Sequence, residues 1–474
     1  MKTPAAFLFS AALCVCNALA GPAPQPVPLR AGAAASNITP QLGISLNGGM
    51  QDNIAATVHD ELHARCLVLD DGRTKLAIVV CDSCMIPREV FDAAKARIEK
   101  EVGIPVAHQL MSATHTHSAP TSASVFQSDA DASYKQFLIG RIVDGVKRAH
   151  AQLRPAQIGW GRALEPEQVF NRRWHMKPNV ENKNPFGGID QVRMNPGVKN
   201  PDLLKPAGPT DPEIRFITLR GTNGAPLGLL ANYSLHYVGG VAGVSADYFG
   251  AFADRIQQLL GADRLDPPFV GILSNGTSAD INNINWKEGG QPNPGPYGRI
   301  RIVADAVAQK VHTAHRDVPF HAHVRLAAKQ VELTLKVRKP TAVELATARE
   351  IVSRTKTFPR MSTQQEIYAR ETVQMHEYPD EVRAIVQVLR IGDLAIAAIP
   401  CETFVEIGLE LKAKSPIKPL FTISLANGYN GYLPTPEQHK LAGYETWRAK
   451  SSYLETGASV KITGALLALL EELK

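Results

Sequence analysis

Four times along this chain, a short apolar run ends in side chains able to bind a metal or move a proton. Leu110-Met111 leads into Thr114-His115-Thr116-His117-Ser118, and Leu227–Tyr233 runs toward His236. Val270–Leu273 opens into Ser274-Asn275-Gly276-Thr277-Ser278, and Leu394–Ile399 stops just before Glu402. Apolar runs of this length, bounded by turn formers, read as buried strands. Open α/β sheets build their crevices at the carboxyl ends of strands. The pattern therefore asks for a fold in which mixed sheets carry distant strand ends to one place.

The remaining periodicity agrees. Leu62–Leu69 and Lys75–Val80 read as a hairpin around Asp70-Asp71-Gly72. Pro87–Val102 reads as a helix, with proline at its start and Gly103 past its end. A strand over His108–Ala113 completes a β-β-α-β opening. A second hairpin joins Ile214–Arg220 to Leu227–Tyr233. Helices are expected over Phe249–Leu260, Ile300–Ala314, Thr341–Lys356 and Val460–Leu473, and strands over residues 321–337, Ala384–Leu389 and Leu394–Ile399. Residues 175–212, rich in Pro, Gly and Asn, read as one long irregular loop. The expected fold class is α/β with α+β mixing: a single large catalytic domain over residues 31–474, its mixed sheets flanked by helices.

Residues 1–20 have the form of a signal peptide: Lys2, an apolar stretch from Ala5 to Val15, and small residues up to Ala20. The stretch is too short to span a membrane. Residues 21–30 read as an extended Pro-rich leader. The protein is therefore expected to be exported, periplasmic or secreted, with no integral membrane segment. Export permits disulfides, and Cys66, Cys81, Cys84 and Cys401 read as buried thiols or one disulfide. The formal charge of +6 comes from 51 basic and 45 acidic residues with no basic run, which argues against nucleic acid as a partner.

Two imidazoles at i and i+2 lie on one side of an extended chain, and imidazole suits zinc. Taken singly, His236 fits a buried hydrogen-bonded histidine, and Glu402 fits a carboxylate at a helix N-terminus. Together with the doublet they supply what a hydrolytic zinc needs, about three protein ligands and one open position. Such a metal lowers the pKa of water toward ~7 and polarises a carbonyl. The Gly-rich segment Asn427–Thr435 adds two tyrosines, and Tyr444 follows Tyr432 by twelve residues.

These residues resemble the neutral (non-lysosomal) ceramidases and their bacterial relatives, through nearly the whole chain after residue 30. Ala113-Thr114-His115-Thr116-His117-Ser118-Ala119-Pro120 is similar to the family's Thr-His-Thr-His-Ser-Gly-Pro, the most specific match. Asn37-Ile38-Thr39-Pro40 with Gly43 resembles the amino-terminal Asp-Ile-Thr-Pro-Pro-x-Gly, and Asn171-Arg172-Arg173 the Asn-Arg step. His236 with Ser245-Ala246-Asp247-Tyr248 resembles the second histidine region, and Ile399-Pro400-Cys401-Glu402 the Pro-Gly-Glu step. Gly431-Tyr432-Leu433-Pro434-Thr435 and Tyr444-Glu445 resemble the two-tyrosine segment.

The resemblance implies an amidohydrolase that cleaves the carboxamide of a ceramide-like N-acyl lipid by attack of zinc-bound water. One Zn2+ per chain would be held by His115, His236, Glu402 and Tyr432. His117 would lie beside it, and Arg172 and Tyr444 would donate to the oxyanion. A further Mg2+ or Ca2+ is left open, without assigned ligands. Two departures stand out. The family's serine step, Gly-Asp/Asn-x-Ser-Pro-Asn, is replaced by Ala279-Asp280-Ile281-Asn282-Asn283. Either Ser278 or Asn282 then takes the serine's place, and an asparagine can donate a hydrogen bond but cannot be acylated. The chain also ends one helix after the Tyr444 region, so a relative without the family's carboxy-terminal β-sandwich domain is expected. Two alternatives remain open. One is a zinc esterase or amidase for a smaller, non-sphingoid N-acyl or ester substrate. The other is a non-catalytic exported binding protein on the same fold; Asn282 and Cys401 favour it, and the intact ligand set opposes it.

Overall fold

A computed structural model describes Met1 and residues 27–474; the signal-peptide reading and most of the leader reading lie outside these residues. Two principal sheets organise the chain. The larger holds β1 (Arg30–Asn37), β2 (His63–Asp70), β3 (Lys75–Cys81), β4 (Gln109–Ala113), β5 (Arg154–Leu164), β6 (Glu213–Gly221), β7 (Pro226–Tyr233) and β8 (Val270–Asn275), in the order β8-β7-β6-β5-β1-β2-β3-β4. The smaller holds β9 (Leu326–Lys336), β10 (Glu381–Ile391), β11 (Leu394–Ala398) and β12 (Leu420–Ile423), in that order. The helices in chain order are α1 (Arg88–Val102), α2 (Ala132–Ala151), α3 (Asp247–Leu259), α4 (Gly298–His315), α5 (Ala342–Arg354), α6 (Gln364–His376), α7 (Val405–Lys414), α8 (Pro436–Leu441) and α9 (Ala458–Glu472).

The layering is helix, sheet, sheet, helix. Alternation along the strands produces it. Ala64, Cys66 and Val68 of β2 and Ala77, Val79 and Cys81 of β3 face outward onto α1 and α2. Their neighbours Leu67, Leu69, Ile78 and Val80 face inward, where they meet Leu394, Ile396 and Phe421 of the smaller sheet. Ala395 and Ala397 point the other way, into a core shared with Ile407 of α7 and Ile462 and Leu466 of α9. Over the other half of the larger sheet, Phe216, Leu229 and Ala231 pack on Phe249, Phe252, Ile300 and Val307 of α3 and α4. The inter-sheet core reaches back to Leu29, which is fully buried two residues ahead of the expected domain start.

Most strand neighbours are antiparallel, but β3–β4, β7–β8 and β11–β12 are parallel. A parallel pair needs a crossover, here α1, α3 and α7 respectively. Each of these βαβ units has two carboxyl ends, and each delivers two residues: Cys84 and His115, His236 and Ser278, Glu402 and Tyr432. The two sheets are tied together at this end. Ser424 N donates to Asn275 O at 3.0 Å and Asn427 N to Met111 O at 2.7 Å, while Asn275 Nδ2, donating to Thr114 O at 3.0 Å, joins the ends of the two edge strands of the larger sheet.

The long loop expected over residues 175–212 is instead a set of small ribbons. Arg173–Met176 pairs with Val192–Met194 and Leu203–Pro206, and Asn182–Lys183 pairs with Ile189–Asp190. Strands this short show no measurable two-residue period. Helices α2 and α6 were not anticipated. In α2, Tyr134, Leu138, Ile142 and Val146 form a buried stripe, which Gly140 and Gly145 obscure in the sequence. All four described cysteines are buried free thiols, and no described helix is long and apolar enough to cross a membrane.

Ile78 sits fully buried between the sheets. Ile78→Ala is expected to cost about 2–5 kcal/mol in urea unfolding with an unchanged slope. A loss below about 1 kcal/mol would contradict a close-packed layer there.

Candidate metal centre

His115, His236 and Glu402 come together from three crossover units, each offering a ligand atom within 4.8 Å of the others. All three are at least 96% buried, with exposures of 2%, 1% and 4%. The doublet does not converge by strand alternation. It lies past the end of β4, and His115 takes a left-handed φ of 74°. This turn sets the two rings edge to face, 4.7 Å apart. Gly48, at φ 111°, lets its loop press on the His117 ring, where any Cβ would collide. The other face of His117 stacks on Tyr237 at 3.7 Å.

The hydrogen bonds fix the tautomers. His115 Nδ1 lies 2.7 Å from Cys84 O, and His236 Nδ1 lies 3.1 Å from Ser278 O. A carbonyl only accepts, so both Nδ1 atoms carry protons and both Nε2 atoms of the neutral rings are bare. Yet these two Nε2 atoms face each other at 3.1 Å. His117 Nε2 is also 3.1 Å from His115 Nε2. Glu402 Oε2 is 3.2 Å from the same nitrogen and accepts no hydrogen bond. Lone pairs thus converge in a buried pocket, a costly arrangement with no cation at its centre.

The electrostatics report the same need. Burial opposes charge on His115, but the Glu402 carboxylate outweighs it and holds its pKa well above the ordinary imidazole value. Burial, then Arg172 and His115, push His236 well below that value; burial, then His115 and Arg172, do the same to His117. Burial raises Glu402, yet His115 and Arg172 bring it below the usual carboxylate value. The pocket draws in one positive charge. A proton on His115 Nε2 can bridge one of its three neighbours, whereas a multiply coordinated ion joins His115, His236 and Glu402 at once. The residues present therefore fit a metal ion, and histidine with carboxylate suits zinc. Cys84 also lies near His115, at 3.8 Å, but it faces the protonated Nδ1. Burial raises its thiol pKa, so it does not offer the thiolate a metal takes.

The strand pairing of Glu402–Thr403 with Tyr432–Leu433 sets Glu402 beside Tyr432. Tyr429, which sequence reasoning left without a role, donates to Glu402 Oε1 at 3.0 Å. That bond orients the carboxylate and leaves Oε2 for the centre. Arg172 spans the other side, with Nη2 3.2 Å from Tyr432 Oη and Nη1 3.4 Å from His236 Nε2. Glu445, fully buried, holds Arg172 at 2.9 Å and Arg173 at 2.5 Å. Tyr444 stands with its ring 5.9 Å from that of Tyr432. A cavity of about 30 Å³ opens beside His115, His117, Glu402, Tyr432 and Tyr444.

The two candidates for the serine's place are not brought to this cavity. Ser278 Oγ donates to Asn275 Oδ1 at 2.7 Å, and only the Ser278 carbonyl serves the centre, through His236. Asn282 turns away, donating to Asn195 Oδ1 at 3.2 Å and accepting from Ile284 N. The segment acts through Asp280 instead. Its carboxylate accepts from Asn171 Nδ2 at 2.8 Å and from Val405 N at 3.0 Å, and its carbonyl accepts from Arg172 N at 2.8 Å. Through Asp280 the segment holds the Asn171-Arg172 step in place.

The chain thus combines a four-layer α/β fold with a buried His/His/Glu cluster at converging strand ends. The chain matches the crystal structure of neutral ceramidase from Pseudomonas aeruginosa with a TM-score of 0.70, over 94% of this chain and 75% of that one, at 18% identity. A ceramidase complexed with C2 matches with a TM-score of 0.69, over 94% and 76%, at 17% identity. A neutral ceramidase from Mycobacterium tuberculosis is 24% identical over 152 residues, 30% of this chain and 23% of that protein, so the match spans under a quarter of that relative's length. No protein-family model matches the chain. This chain has the fold of the neutral ceramidases.

Glu445 is buried between two guanidinium groups. Burial raises its pKa, but Arg173 and Arg172 hold it below the usual carboxylate value. Glu445→Gln leaves both cations without their counter-charge and is expected to cost about 3–5 kcal/mol near pH 7. A depressed folded-state pKa contributes stability above the unfolded value, lost as pH falls through the folded value. The gap between wild type and variant should therefore narrow in acid; a constant gap from neutral to acid would contradict the ion-pair account.

Proposed function

We propose that this chain is an exported, zinc-dependent amidohydrolase that cleaves the carboxamide of a ceramide-like N-acyl lipid. The observation that carries it is the set of converging lone pairs on His115, His236 and Glu402, on a fold shared with neutral ceramidases. His115, His236, Glu402 and Tyr432 would hold the zinc. Bound there, zinc would polarise the scissile carbonyl and acidify water.

The chain's own residues do the rest. Arg172, fixed by Glu445, presents two N–H groups at the edge of the cluster, where negative charge builds on the carbonyl oxygen. Tyr444, in the cavity wall, is a second donor to that oxygen. His117 stands next to His115 and takes the proton that water gives up as the new C–O bond forms. It returns that proton to the leaving nitrogen as the C–N bond breaks. No serine need be acylated, in keeping with the placement of Ser278 and Asn282.

The cavity beside the centre, about 30 Å³, has no room for an acyl chain. A long-chain substrate must keep its chains outside the cavity. The alternative that this volume favours is a smaller N-acyl or ester substrate that fits near the centre entirely.

A release assay on N-acylated and esterified lipids, with and without chelator, tests the proposal. Turnover of an N-acyl amine should vanish on chelation and return with zinc. His115→Ala and Glu402→Ala should lose both metal and turnover, and retention of tight zinc by both would remove the site. Arg172→Lys keeps the charge but loses the fork. It should lower kcat by about 10²–10³ with little change in KM, whereas a rise in KM alone would make Arg172 a ground-state binder.

A further inference from the structure

Two surface loops rise from the walls of the cavity and carry apolar tips. The first covers residues 184–189, where Phe186 is 43% and Ile189 62% exposed. Its base is pinned by Trp447, whose Nε1 donates to Asp190 at 2.7 Å and whose ring lies 5.7 Å from that of Tyr444, a cavity residue. The second covers residues 356–360, every one exposed, with Phe358 at 66%. Its base is buried Met361, whose N–H donates to Gln127 Oε1 at 2.6 Å and whose carbonyl accepts from Gln51 at 3.2 Å. Gln127 follows Phe126, another cavity residue. Tyr368, whose ring lies 5.6 Å from that of Phe186 and 5.7 Å from that of Phe126, ties the first loop to the cavity wall as well.

Phe358 and Ile189 expose most of their apolar surface, and apolar groups gathered at a site's mouth mark an interaction surface. The flanking charges select the partner. Lys356 and Arg360 stand on either side of Phe358, and Lys183 precedes Phe186; all three are exposed. Two of the three have a carboxylate nearby, Glu181 at 3.5 Å from Lys183 and Asp52 at 3.8 Å from Arg360, and Lys356 has none among the described residues. Apolar tips framed by cations match a lipid surface of negative charge, with apolar groups at the acyl boundary and ammonium and guanidinium groups at the phosphates.

We propose that the two loops dock the protein on an anionic lipid bilayer, with Phe186, Ile189 and Phe358 entering the interface and Lys183, Lys356 and Arg360 facing lipid phosphates. The cavity then opens onto the membrane, and the hydrocarbon chains it has no room for stay in the lipid. The purpose of this docking rests on the lipid-amide reading; its measurement does not.

The test is co-sedimentation of the purified protein with vesicles of phosphatidylcholine alone and of phosphatidylcholine mixed with phosphatidylglycerol. Binding is expected on the mixed vesicles and should weaken with salt. The double variant Ile189→Glu/Phe358→Glu should bind about tenfold less, with unchanged circular dichroism and Tm. Lys356→Gln/Arg360→Gln should lose the preference for the anionic vesicles. No binding, equal binding to both vesicle types, or binding untouched by the variants would overturn the proposal. So would concentration-dependent self-association that Ile189→Glu/Phe358→Glu abolishes, which would assign the tips to a second copy of the chain. Vesicle binding without turnover of any N-acyl lipid would keep the docking and sink the lipid-amide reading.

Discussion

Two imidazoles and a carboxylate that turn lone pairs toward one another in a buried site repel unless positive charge lies among them, and Arg172 reaches only one of these nitrogens, His236 Nε2. Here the protonated Nδ1 of each ring is committed to a backbone carbonyl, Cys84 for His115 and Ser278 for His236. The rings therefore have no freedom to turn a donor inward. The rest of the centre follows from that commitment. Glu402 keeps one oxygen for Tyr429 and leaves the other unpaired, and Arg172 is held at the periphery by Glu445.

The fold makes this possible by repetition. Three βαβ units in two sheets each bring two strand ends to one edge, so six residues far apart in sequence meet with little dependence on flexible loops. The backbone carbonyls that fix the histidines belong to the same strand ends as the candidate ligands. Position and protonation are thus set by one framework, as side chains that hold metals require. The cost is a polar core at the junction of the sheets, offset by hydrogen bonds such as Ser424 N to Asn275 O.

Much of this was legible in the sequence. Strand ends followed by His115, His236 and Glu402 are visible as apolar runs that stop at polar groups, and the proline-to-glycine span of α1 marks a helix by itself. The convergence of the doublet was anticipated for a different reason than the one found: a left-handed turn at His115 replaces strand alternation. Other parts left no local signal. Glu445, Tyr429 and Asp280 act through partners at least 27 residues away, and a lone carboxylate or phenol does not announce such a partner. The ribbons between 173 and 206 were missed because two to four residues cannot display a period. Asn282 was placed near the reaction by register alone, and its side chain points to Asn195 instead.

The most direct measurement is a diffraction data set collected on either side of the zinc absorption edge, from protein purified with zinc present. The account predicts one strong anomalous peak among His115 Nε2, His236 Nε2 and Glu402 Oε2, with Tyr432 Oη turned toward it. An empty map there, with the imidazoles flipped or a proton bridging His115 to a single neighbour, would contradict it.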